Sequence, residues 1–171
     1  ALLRGAFEYQ GQKCSAASRA YVPSNIAEEV KSKLVAGIQS MKMGTVEDFT
    51  NFVNAVIDEK SFDKLMAYIE RAQKSSDSKV IFGGKGDKSQ GYFVQPTVIL
   101  TSNPKMETMC EELFGPVAML FRVRNLDEAI ELANDTPFGL AGYLFTRDHA
   151  RIWRVGEGLD YGMIAINTGF I

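Results

Sequence analysis

Cysteine and histidine are scarce in this chain. Cys14, Cys110 and His149 are its two cysteines and one histidine in 171 residues. The cysteines are far apart and form no CxxC pair, which argues against a disulfide framework and fits a reducing compartment, the bacterial cytosol or the mitochondrial matrix. Two distant cysteines and one histidine also lack the ligand spacing of a zinc site. No run of about 18 apolar residues occurs, so no membrane partner is expected. No secretory or transit segment is recognisable. Positive charge is not in excess: 19 Lys and Arg against 21 Asp and Glu leave a net charge of −2, so no basic field points to nucleic acid. The stretch from Lys60 to Lys88 is the richest in lysine, but acids are interleaved and it reads as a solvated helix face and turn. There is no internal repeat and no low-complexity segment.

Hydrophobic content of 46% and charged content of 23% suit an ordinary globular core, and 171 residues suit one domain. The first residue is not methionine and lies in a helix-like segment. The chain stops at Asn167-Thr168-Gly169-Phe170-Ile171, directly after a strand-like run. Both ends read as cut from something longer.

Along the chain, residues 1–12 read as the end of a helix and 19–23 as a strand closed by Pro23. Ser24 or Asn25 is a candidate cap for a helix to about residue 40, with Ile26, Val30, Leu34 and Ile38 on one face. Ser61-Phe62 opens a second helix to about Lys74, burying Phe62, Leu65, Met66 and Ile69. After it the period shortens. Val80-Ile81-Phe82 is a short apolar run ended by Gly83-Gly84. Gly83-Gly84-Lys85-Gly86 lacks the pattern of a phosphate loop and reads as a hairpin turn. Pro96, between Phe93-Val94 and Thr97–Leu100, suggests an edge or bulged strand. Pro116–Val123 is a near-continuous apolar strand. Helices over 125–133 and 147–157 alternate with strands over 141–146 and 162–166, with Leu126, Ala129, Ile130 and Ala133 facing inward. Strands alternating with helices predict an α/β fold, a mostly parallel sheet covered by helices on both faces, of Rossmann-like three-layer type.

Cys14 carries the chemistry. It follows the glycine turn Gly11-Gln12-Lys13, is succeeded by the small residues Ser15-Ala16-Ala17, and has Arg19 five positions on. Small neighbours let a substrate approach the sulfur. The reactive form of a cysteine is the thiolate, which exposed N–H groups and nearby positive charge favour. On residue types alone, a small buried hydrophobe fits this position equally well. A cysteine hydrolase would need Cys14 paired with His149, which nothing in the sequence orients toward it. Cys110 precedes the acidic pair Glu111-Glu112 and reads as packing. Arg19 is expected to pair with a carboxylate and hold the Cys14 segment.

Three segments carry a resemblance. Gly11-Gln12-Lys13-Cys14 with Ser18-Arg19 resembles the nucleophile motif of the aldehyde dehydrogenase superfamily. Glu111–Val117 (Glu-Glu-Leu-Phe-Gly-Pro-Val) resembles its second signature, and Asn134–Leu140 (Asn-Asp-Thr-Pro-Phe-Gly-Leu) its third. They occur in the family's order at plausible separations, a far more specific signal than any one alone. The resemblance covers nearly all of this chain and perhaps a third of a whole family member.

The resemblance implies a site. Cys14 would be the nucleophile, its backbone N–H an oxyanion donor, and Ser15 would touch a polar substrate. Glu112 would bind the ribose hydroxyls of the nicotinamide half of NAD or NADP, Phe114 would orient the nicotinamide, and Gly115-Pro116 would fix the loop presenting both. Asn167 would lie on the substrate side. Without the resemblance, the alternative for Glu112 is a solvated acid and for Phe114 a core aromatic, while Asn167 reads as a strand-exit turn residue. The family's dinucleotide-binding domain, its general-base glutamate, its oxyanion asparagine and its oligomerisation strand have no counterpart in these 171 residues. Residues 1–171 are therefore expected to be part of a catalytic domain, inactive alone, from a parent that is a homo-oligomer acting on a small aldehyde. Residues 5–19 and 54–62 resemble the branch of the family that oxidises L-glutamate γ-semialdehyde in proline breakdown. Residues 138–143, 154–162 and 166–169 resemble the succinate-semialdehyde branch. Both substrates are short aldehydes bearing a carboxylate.

Overall fold

The computed structural model describes residues 1–169; Phe170 and Ile171, the last two residues of the strand-exit segment quoted above, lie outside the described residues. The chain begins with α1 (Leu2–Phe7) and a tight 3-10 segment, Glu8–Gly11. Then come β1 (Arg19–Pro23), α2 (Ala27–Gln39), α3 (Glu59–Lys74), β2 (Ser78–Phe82), β3 (Gly86–Asp87), β4 (Phe93–Val94), β5 (Thr97–Thr101), α4 (Glu107–Cys110), β6 (Val117–Val123), α5 (Leu126–Asn134), β7 (Ala141–Leu144), α6 (His149–Gly158) and β8 (Met163–Ile166). Among the described residues no helix is long and apolar enough to cross a membrane.

The main sheet runs β1-β6-β5-β2. β1, β6 and β5 are parallel, with Met119 opposite both Arg19 and Ile99; β2 closes the edge antiparallel to β5. β6 is buried along all but one residue, Arg122, as expected of a parallel strand covered on both faces. Successive residues face opposite layers. Ile99, Met119 and Phe121 pack with Phe62, Leu65, Ile69 and Ala72 of α3. Val98, Ala118 and Leu120 pack with Phe7 of α1 and with Leu34 and Ile38 of α2. The three-layer expectation holds. The parallel strands β7 and β8 form their own pair rather than extending the main sheet.

Several local expectations are corrected. α2 is preceded by Ile26 without a side-chain cap, while the Ser24 hydroxyl donates to the Val123 carbonyl at 3.0 Å and ties β1 to β6 instead. α3 starts two residues earlier than Ser61 because Asp58 caps it, accepting from the Ser61 N–H at 2.7 Å. Gly83 and Gly84, both at positive φ, end β2, but β3 pairs with β4 and not with β2, so the turn links two sheets and is not a hairpin. Pro96 precedes an interior strand, and the register irregularity falls between Val80 and Phe82 of β2. The inward face of α5 is only half-buried, because it borders a cleft.

Candidate active site

Cys14 sits in the turn between the 3-10 segment and β1, and it is exposed. The Ala16 N–H donates to the Lys13 carbonyl and the Ala17 N–H to the Gly5 carbonyl, both at 3.0 Å, so the turn is closed and anchored to α1. The approach to it is strained: Tyr9, Gln10 and Gly11 have φ of 53°, 57° and 66° in succession. A left-handed conformation costs a non-glycine residue of order 1–3 kcal/mol and persists only where the surroundings impose it. Here Gln10 is buried, and the Gln12 side-chain carbonyl accepts from the Ile57 N–H at 2.9 Å.

Gly11 joins the first motif to the second. A Cβ at Gly11 would lie 2.2 Å from the Gly115 carbonyl oxygen, so the two loops meet backbone to backbone only because the position is glycine. Gly115 in turn packs under α3, where an added Cβ would meet Leu65 Cδ2 at 2.4 Å. Leu113 is buried and pins the second loop; Glu112 and Phe114 on either side of it are exposed. Phe114 has φ 58° and is 43% exposed. A bulky aromatic in left-handed conformation with its ring uncovered is an arrangement that folding alone does not favour. One face of α3 braces this segment. Lys64 Nζ donates to the Glu112 carbonyl at 2.9 Å, the Tyr68 hydroxyl donates to the Glu111 carboxylate, and the Arg71 guanidinium donates to both Glu107 oxygens at 2.7 and 3.1 Å.

Cys14, Glu112 and Phe114 line one cleft of about 1090 Å³, together with Phe138, Leu140 and Tyr143. Ser15 and Asn167 are not among its lining residues. The Ser15 carbonyl accepts from the Tyr143 hydroxyl at 2.6 Å. Asn167, at φ 57°, accepts from the Thr146 N–H at 3.0 Å and donates to the Thr146 carbonyl at 2.9 Å, stitching the ends of β7 and β8. His149 begins α6, is exposed and lies outside the cleft lining. Cys110 is half-buried, its thiol 3.7 Å from the Pro104 carbonyl.

The cations near Cys14 have partners. Lys13 Nζ lies 3.4 Å from Glu8 Oε2, and Arg4 Nε 3.0 Å from Glu8 Oε1. The hydrogen bond from Arg4 holds the Glu8 carboxyl below its ordinary value, with Lys13 adding to the effect against partial burial. Arg19 donates to the Tyr161 hydroxyl at 3.2 Å, where a carboxylate partner was expected. Tyr143 and Tyr161 were not singled out in the sequence. Their signal there is faint: a tyrosine in the otherwise small Ala141-Gly142 strand start, and one ahead of Gly162.

Known proteins with these features are numerous. Over 147 residues the chain is 48% identical to the mitochondrial delta-1-pyrroline-5-carboxylate dehydrogenase of Dictyostelium discoideum, covering 84% of this chain and 26% of that protein. Over 168 residues it is 40% identical to the 1-pyrroline-5-carboxylate dehydrogenase of Bacillus subtilis (strain 168), covering 98% of this chain and 32% of that protein. The chain thus spans about a third or less of the length of these curated relatives. A succinate-semialdehyde dehydrogenase structure from Burkholderia pseudomallei superposes with a TM-score of 0.94 at 36% identity, over 99% of this chain and 35% of that one. A 1-pyrroline-5-carboxylate dehydrogenase from Thermus with bound NAD superposes with a TM-score of 0.92 at 31% identity, over 99% and 33%. The aldehyde dehydrogenase family profile matches residues 1–171 throughout, and with the three motifs in order around one cleft the chain belongs to that family.

Proposed function

We propose that residues 1–171 form the nucleophile-bearing part of the catalytic domain of an NAD- or NADP-dependent dehydrogenase of carboxylated semialdehydes, with L-glutamate γ-semialdehyde oxidised to L-glutamate in proline catabolism as the leading substrate. The observation that carries the reading is the cleft itself. An exposed thiol shares it with an uncovered acid–aromatic pair, and the two loops are in backbone contact at Gly11 and Gly115.

In this reading the Cys14 thiolate adds to the aldehyde carbon, the carbonyl π electrons move to oxygen, and the Cys14 N–H stabilises that oxyanion in a thiohemiacetal. When bound, NAD or NADP supplies the acceptor for the hydride that leaves as the thiohemiacetal becomes a thioester. Glu112 would hold the coenzyme by accepting hydrogen bonds from its vicinal ribose hydroxyls, and Phe114, whose backbone is left-handed, would set the position of the nicotinamide. The assignment of Ser15 and Asn167 to the substrate side rests on the resemblance alone, since neither lines the cleft. Water then hydrolyses the thioester, releasing the acid and the thiol, with a base supplied from outside these residues. These 171 residues alone are therefore inactive, and the active protein is a homo-oligomer of the bacterial cytosol or mitochondrial matrix.

The pyrroline-5-carboxylate dehydrogenases among the relatives support the glutamate semialdehyde. A second reading, succinate semialdehyde, is favoured by residues 138–143 and 154–162 and by the Burkholderia pseudomallei neighbour. The test is oxidation of the two semialdehydes by the full-length enzyme carrying this chain. The leading reading predicts a higher kcat/KM for glutamate γ-semialdehyde and loss of oxidation in Cys14→Ala. Preference for succinate semialdehyde would favour the second reading, and oxidation persisting without Cys14 would remove the mechanism.

A further inference from the structure

β7 and β8 are not hydrogen-bonded to the main sheet, yet two tyrosines of that unit reach the ends of the nucleophile segment. The Tyr143 hydroxyl, on β7, donates to the Ser15 carbonyl at 2.6 Å across 128 residues of sequence, one residue beyond the thiol. Tyr161, just before β8, accepts from Arg19 Nη2 at 3.2 Å across 142 residues and donates to the Ala133 carbonyl on α5 at 2.8 Å. Both phenols are half-buried. The first contact fixes the plane of the peptide following Ser15. The second makes a relay, Arg19 to Tyr161 to α5, that fixes where the segment enters β1. Between them lie only the small residues Ala16, Ala17 and Ser18, with few side-chain atoms to hold the turn themselves.

We propose that Tyr143 and Tyr161 are positioning residues: a two-point clamp by which the β7–β8 unit sets the orientation of the Cys14 turn in the cleft. Neither touches the reacting atoms; each acts through the backbone or the arginine of the segment it holds. The proposal rests on the reading of Cys14 as the nucleophile only for its catalytic consequence. The mechanical consequence stands on the geometry alone. A nucleophile misplaced by a fraction of an ångström loses rate steeply, so removing one phenolic oxygen is expected to lower turnover without altering coenzyme binding.

The test uses Tyr143→Phe and Tyr161→Phe, which keep the rings and remove one hydroxyl each. In the 171-residue chain, amide hydrogen exchange over residues 14–18 should accelerate several-fold in Tyr143→Phe, while residues 97–101 of β5 stay unchanged. In the full-length enzyme, kcat should fall about tenfold, the equivalent of one hydrogen bond, with KM for the coenzyme unaltered. Unchanged exchange over 14–18, or acceleration throughout the main sheet, would overturn the clamp. So would a rise in coenzyme KM with kcat intact. If the wild-type enzyme oxidises neither semialdehyde, the functional reading fails, and the exchange measurement still decides the clamp by itself.

Discussion

Gly11 shows how much rests on one absent side chain. Its φ of 66° and the 2.2 Å that would separate a Cβ from the Gly115 carbonyl make any larger residue both strained and obstructed by backbone. Gly11→Ala is expected to destabilise the chain by about 3 kcal/mol, read as a lowered urea midpoint, and to separate the Cys14 turn from the Glu112–Phe114 loop. A midpoint unchanged within error would mean that the two loops do not rest on each other. Glu8 offers a pH signature at the same scale. Its carboxyl is held below about 4.5 by Arg4 and Lys13, so it binds fewer protons folded than unfolded. Its contribution to stability is present above that ordinary value and is lost as pH falls through the lower folded value. The stability difference between wild type and Glu8→Gln should therefore be constant at neutral pH and shrink on acidification below about 4.5. A difference that persisted through the acid range would contradict the ion pair.

The elements differ in how far local sequence prescribes them. α3 is fixed by an apolar stripe and by Asp58, whose side chain takes up the Ser61 N–H. Asp58→Ala should cost about 1 kcal/mol, measured by equilibrium unfolding, and a neutral result would show that the cap is redundant with packing. The strand over 117–123 was legible as a near-continuous apolar run, and the stripes of α2 and α3 because apolar residues recur there at the helical period. Partners were not legible. Gly83-Gly84 announces a turn, but whether β2 meets β3 or β5 depends on residues far along the chain. The same holds for the site. Cys14, Glu112 and Phe114 were singled out through the family resemblance, and all three line one cleft. The Gly11–Gly115 contact and the tyrosine bonds to Ser15 and Arg19 join residues a hundred or more apart, and no local pattern encodes them. The cap at α2 erred by one or two residues, because a serine beside a helix start serves equally well to bond the neighbouring strand, as Ser24 does.

At the scale of the whole molecule, burial is uneven. The four-stranded sheet is packed on both faces by α1, α2 and α3. α5 has no buried residue, and α6 has Val155 alone. Local opening free energy follows buried apolar contact, so amides of residues 141–166 are expected to exchange well before those of β5 and β6. Equal protection would mean that the β7–β8 unit is as firmly integrated as the main sheet. The same unevenness leaves the cleft open beside Cys14, and the central claim is that this thiol is a presented nucleophile rather than a packing residue. The most direct measurement is the rate at which iodoacetamide alkylates each cysteine of the chain near neutral pH, resolved by peptide mapping. The account predicts that Cys14 reacts much faster than both Cys110 and a free cysteine thiol; a Cys14 that reacts no faster than the free thiol would contradict it.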